Sequence, residues 1–98
     1  MKHIFLTIFI FFTNINISAD DVNEIASAYA TQTSDLQVSS SGTVVKLLPD
    51  DNKGSRHQRF ILKLSNSQTV LVAHNIDLAP KITSLRRGDI VEFNGEYE

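Results

Sequence analysis

Two strand-like runs joined by a four-residue polar turn constrain this chain more than any other feature. Arg56-His57-Gln58-Arg59-Phe60-Ile61-Leu62-Lys63-Leu64 and Val70-Leu71-Val72-Ala73-His74-Asn75-Ile76-Asp77 each carry an apolar stretch with chemically capable residues at one end. The segment between them, Ser65-Asn66-Ser67-Gln68, is short and rich in turn formers, which makes the pair a hairpin. The polar ends must then meet in space.

With the turn centred on Asn66-Ser67, Leu62 faces Leu71, Phe60 faces Ala73 and Arg59 faces His74. Side chains alternate along a strand, so Gln58, Phe60, Leu62 and Leu64 share the core face with Leu71, Ala73 and Asn75. The opposite face carries His57, Arg59, Ile61 and Lys63 with Val70, Val72, His74 and Ile76. In that register Arg59 and His74 are direct cross-strand neighbours, with Cβ atoms ~5 Å apart, and His57 and His74 are diagonal ones at ~7 Å. Two imidazoles and a guanidinium there can bind an anion, with Arg59 forking to a phosphate, sulfate or carboxylate. They can instead share a metal through His57, His74 and Asp77, or use one histidine as a general base. The competing reading is structural: Arg59 pairs with an acid such as Asp77, and the histidines only cover the sheet edge. Gln58 and Asn75 on the core face favour a site, because buried amides must find partners. Arginine beside the histidines disfavours a cation, so the expected ligand set is His57, Arg59, His74, Asn75 and Asp77, with no metal or other cofactor assigned.

The chain begins with a short basic start, Lys2-His3, and the apolar run Ile4 to Phe12; Ala19 then precedes Asp20-Asp21. That pattern predicts a secretory leader over residues 1–19, since the apolar run is far short of the ~20 residues a membrane-spanning helix needs. The absence of cysteine excludes disulfides and a lipid-anchored lipoprotein. Removing residues 1–19 from a chain of 98 leaves 79, enough for one small domain in the periplasm or outside the cell. Lys2 is one of nine basic residues, so eight then face eleven acidic ones, a net charge of −3 with histidines neutral. That balance disfavours nucleic acid as a partner.

Residues 20–35 read as a helix and a linker. Asp21 caps, Glu24 reaches back to it, and Val22, Ile25, Ala26 and Tyr29 recur at helical spacing to about Thr31. Residues 36–98 read as a β domain. Leu36 to Leu48 is one strand bent at Gly42, and Pro49 to Ser55 is a hairpin loop. The hairpin over 56–74 follows, then a crossing loop from Asp77 to Arg87 with room for one helical turn. Gly88-Asp89 opens a last strand, in which Val91, Phe93 and Tyr97 face one side and Glu92, Asn94 and Glu96 the other. This order predicts a mainly β, OB-like Greek-key barrel, incomplete at four strands of five because the chain reaches Glu98 with the fourth still running. Truncation ranks ahead of closure by a partner chain as the explanation.

Gly42-Thr43-Val44-Val45, Pro49 to Gly54, Arg56 to Phe60, Ala73 to Pro80, Gly88-Asp89 and Gly95 to Glu98 together resemble a bacterial family of small exported proteins classified only as a domain of unknown function. The resemblance implies export, a compact β domain and a Trp- and His-rich continuation past Glu98. It implies no activity. Ile76 to Pro80 also resembles the Ile-Asp-x-Pro-Glu segment of thermonucleases, with one residue inserted and Lys81 in place of the acid, which ranks a metal-assisted hydrolase below a ligand-binding domain. A third reading is a structural module whose open edge accepts a partner strand. Asp50-Asp51-Asn52 lacks EF-hand spacing and reads as a solvated turn. Arg86 to Asp89 reads as a basic loop ending in a turn.

Overall fold

The structure, a computed structural model, describes residues 3–8, 22–32 and 36–97. Its elements are β1 (His3–Ile8), α1 (Val22–Thr31), β2 (Leu36–Asp51), β3 (His57–Lys63), β4 (Thr69–Asn75) and β5 (Ile90–Tyr97). The helix lies where its spacing places it, with Val22, Ile25 and Ala28 buried and Tyr29 packed beside them. It ends as Gln32 turns into the left-handed region at φ 56°. The expected cap at Asp21 lies outside the described residues.

Strands β2 to β5 form an antiparallel sheet in the order β4-β3-β2-β5, with long β2 pairing β5 along its first half and β3 along its second. Gly42 sits at the changeover. A Cβ there would stand 2.9 Å from the Leu62 Cβ and 3.0 Å from the Lys63 carbonyl oxygen, so only glycine lets β2 and β3 approach this closely. Bulges between Val44 and Lys46 and between Leu48 and Asp51 add to the bend. The loop that follows is shorter than the sequence suggests, because β2 continues through Pro49 to Asp51.

Alternation along each strand builds one core. Val38 and Val44 of β2, Phe60 and Leu62 of β3, Val70 and Val72 of β4, and Phe93 and Tyr97 of β5 are buried together with α1. The last strand follows its predicted faces, with Glu92 exposed opposite Phe93 and Tyr97. Ile82 and Leu85 of the crossing segment pack against this core, whereas Leu78 is 68% exposed. The Asn75 carbonyl accepts from Leu78 N–H and Ala79 N–H, one helix-like turn at the start of that segment.

The four-stranded sheet matches the expected count and is compatible with an OB-like barrel. Among the described residues a further strand joins it, in the segment that the sequence pattern assigns to a leader. Strand β1 pairs parallel with β4 and antiparallel with β5, closing the ring as β1-β4-β3-β2-β5. The physical reason is an ambiguity of pattern: a short apolar run serves equally as a leader core and as a strand.

Candidate functional site

The site begins with the hairpin turn. Ser67 N–H donates to the Leu64 carbonyl at 3.0 Å, and Leu64 N–H to the Gln68 carbonyl at 2.8 Å. Ser67 takes φ 67°, and the Asn66 side chain accepts from Gln68 N–H at 3.0 Å. This is a three-residue loop, a turn followed by one left-handed residue. A two-residue loop on Asn66-Ser67 would need positive φ at Asn66, and in a type I′ turn at both residues, whereas this loop needs it at Ser67.

The extra loop residue shifts the register by one. His57 pairs with Asn75, Gln58 with His74, Arg59 with Ala73 and Phe60 with Val72. The predicted faces of β3 hold; those of β4 are inverted. Val70, Val72 and His74 point inward, and Leu71 and Asn75 outward with His57 and Arg59. The Arg59–His74 pairing expected from the sequence is therefore corrected, and His57 and His74 lie on opposite faces of the sheet.

Inside the barrel, the Gln58 side-chain amide donates to the Ile82 carbonyl and accepts from Ile82 N–H, both at 2.9 Å. His74 is 1% exposed, and its Nε2 donates to the Pro80 carbonyl at 2.8 Å. Since a carbonyl can only accept, Nε2 carries a proton, and the buried Nδ1 has no hydrogen-bond partner among the described residues. Two neighbouring inward polar residues thus hold the crossing segment over the barrel end. Sequence reasoning placed Gln58 on the core face and missed what it holds.

Outside, Arg56 rather than Arg59 takes Asp77. The Arg56 backbone N–H donates to Asp77 Oδ2 at 2.8 Å, and its Nε to Oδ1 at 2.7 Å. These bonds, the backbone one first, hold the Asp77 carboxyl below its ordinary value, and nearby His57 adds a small push in the same direction. Asn75 Oδ1 accepts from Asp77 N–H at 2.9 Å, which leaves the amide Nδ2 as a donor. Arg59 Nε donates to the Pro49 carbonyl at 3.0 Å, and the adjacent Asp50 pairs with Lys81 at 2.7 Å. His57 Nδ1 lies 2.8 Å from the Ser55 carbonyl and, since a carbonyl only accepts, donates to it.

Of the five expected residues, His57, Arg59 and Asn75 share the outer face, Asp77 stands beside them saturated by Arg56, and His74 is turned away. Among the described residues no group of three histidine, aspartate or glutamate side chains can hold a metal ion. Asp51, the last residue of β2, accepts from Lys53 N–H in the loop that follows. Asp89 accepts from Arg86 N–H, closing the turn that opens β5.

These features define a small, cysteine-free, mainly β domain with a polar outer face at one hairpin end. A family model described as protein of unknown function (DUF3465) matches residues 6–98, and the chain belongs to that family. No curated protein and no solved structure matches it.

Proposed function

We propose that this is an exported β domain that binds a small polar or anionic ligand, or an acidic motif of a partner protein, through His57, Arg59 and Asn75. The observation that carries the reading is the fixing of Arg59 by Pro49 through Nε, which leaves both Nη groups as donors on the face of β3 that also bears His57. Asn75 Nδ2 adds a neutral donor opposite His57. Arg56 and Asp77 neutralise each other at the rim, and Lys81 and Asp50 do the same. Arg59 thus stands on this face without a carboxylate partner among the described residues. Export rests on the leader pattern of residues 1–19 and the resemblance to exported proteins.

The metal-assisted hydrolase reading loses support from the same geometry. Its two histidines lie on opposite faces, and both Asp77 oxygens accept from Arg56.

The binding test is a titration of inorganic phosphate, sulfate and an acidic oligosaccharide, followed by NMR shifts of the His57, Arg59 and Asn75 side chains. Binding by at least one of them is expected, weakened about tenfold or more by Arg59→Ala, the equivalent of ~1.4 kcal/mol. A panel that moves none of these resonances removes the reading. The mass of the exported protein tests the leader: a chain starting near Asp20 is expected, and one retaining Met1 sinks that part.

A further inference from the structure

Strand β1 holds its place in the ring by backbone pairing on both sides. Its residues His3 to Ile8 run beside Thr69 to His74 of β4, and Leu6, Thr7 and Ile8 also stand opposite Tyr97, Glu96 and Gly95 of β5. These same residues fall within the predicted leader. If the leader is removed, β4 and β5 each lose a paired edge, and between those edges lie Val70 and Val72, both fully buried, with Phe93 and Tyr97 nearly so. Backbone groups without partners beside an apolar interior make a strong template for an incoming strand.

We propose that the interval between β4 and β5 is a strand-acceptor site. Its ligand in the leader-free domain is an extended, apolar, proline-free segment of a partner protein. The occupant's chemistry follows from the segment seated there now, His3-Ile4-Phe5-Leu6-Thr7-Ile8. Proline is rejected because it lacks the N–H that one edge or the other must receive. The incoming strand takes the direction of the segment seated there, parallel to β4 and antiparallel to β5. The site uses the edge of β4 opposite the one that pairs with His57 and Arg59. It rests on the leader reading only in that leader removal is what empties it.

The test uses the full-length chain with a site-specific protease sequence inserted between Ala19 and Asp20. Cutting after folding disconnects residues 3–8 without removing them. A fluorescent peptide of residues 3–8 flanked by lysines is expected to exchange into the cut chain and not the uncut one, read as a rise in anisotropy. The same peptide with proline at two positions is expected to stay free. A second variant, Thr7→Pro in the uncut chain, is expected to take up the labelled peptide and to exchange its 69–75 and 95–97 amides about tenfold faster or more before it does. Absence of exchange in both chains overturns the proposal, as does equal uptake of the proline peptide. A cut chain that sheds residues 3–8 and dimerises with those amides protected assigns the site to a second copy, and also overturns it. An exported protein that retains Met1 sinks the leader reading alone, because the peptide measurements stand without it.

Discussion

Gln58 and His74 face each other across β3 and β4 inside the barrel, and each reaches a backbone group of the segment that crosses its end. Strand pairing and closure of the barrel end are thereby tied to one register. Had the hairpin formed with a two-residue turn, His74 would point outward and Pro80 would lose its donor.

Removing the Gln58 amide leaves the Ile82 N–H and carbonyl without their partners. Gln58→Leu keeps the volume and abolishes both bonds, so a loss of about 2 kcal/mol is expected from urea unfolding. His74→Phe is expected to cost less, since it also removes a buried nitrogen that has no hydrogen-bond partner among the described residues. A Gln58→Leu protein within ~0.5 kcal/mol of the parent contradicts the clamp, because a neutral surface change has that size.

Gly42→Ala drives a methyl group into the Leu62 Cβ and the Lys63 carbonyl. Neither is the free end of a flexible side chain, so relief requires the strands to separate. A destabilisation of ~1–3 kcal/mol is expected, typical of overpacking. Unchanged thermal unfolding contradicts the close approach.

Ser67 sits at φ 67° with no steric reason to prefer serine there. Ser67→Gly is expected to stabilise the hairpin by ~0.5–1 kcal/mol, and Ser67→Val to destabilise it by more, because a β-branched residue tolerates positive φ least. If both variants unfold at the parent's midpoint, the three-residue turn is the wrong description.

The acid side of the stability curve follows from Asp77. Its pKa is lower folded than unfolded, so between those values the unfolded chain binds more protons and stability rises with pH. The contribution is complete above the ordinary value of 3.8 and is lost as pH falls through the folded one. Asp77→Asn is expected to flatten that limb in unfolding titrations from pH 6 downward. An unaltered slope rules out Asp77 as a contributor.

The alkaline side follows from Tyr97, whose phenol is pushed up by burial and, less, by Tyr29. Here the contribution is complete below the ordinary value of 10.0 and is lost as pH rises through the folded value. Tyr97→Phe is expected to lessen the alkaline loss, read by thermal unfolding between about pH 8 and 11 against the free-phenol range. The same loss in the variant points to other groups.

Much of this architecture is legible in the sequence because local pattern and tertiary packing agree. The helix at Val22–Thr31, the long strand through Gly42 and the faces of β5 all follow from periodicity and from where glycine falls. The His57–His74 geometry does not, because one left-handed serine decides it. Ser67 carries no sequence mark comparable to Asn-Gly, so a three-residue turn reads like a two-residue one, and every β4 side chain changes face. Arg56 as the partner of Asp77 is hidden for a related reason: Arg56 lies just before β3, where strand alternation gives no guidance. The strand role of residues 3–8 is masked by their lack of alternation.

Because β1 pairs with the far end of the chain, its timing during synthesis is set by topology. Leu6 is made well before its partner Tyr97. Until β5 emerges, the N-terminal segment has only β4 to pair with. Under the proposed export reading, closure of the ring and recognition as a leader compete for the same six residues, separated by the time needed to translate the segment between Ile8 and β5.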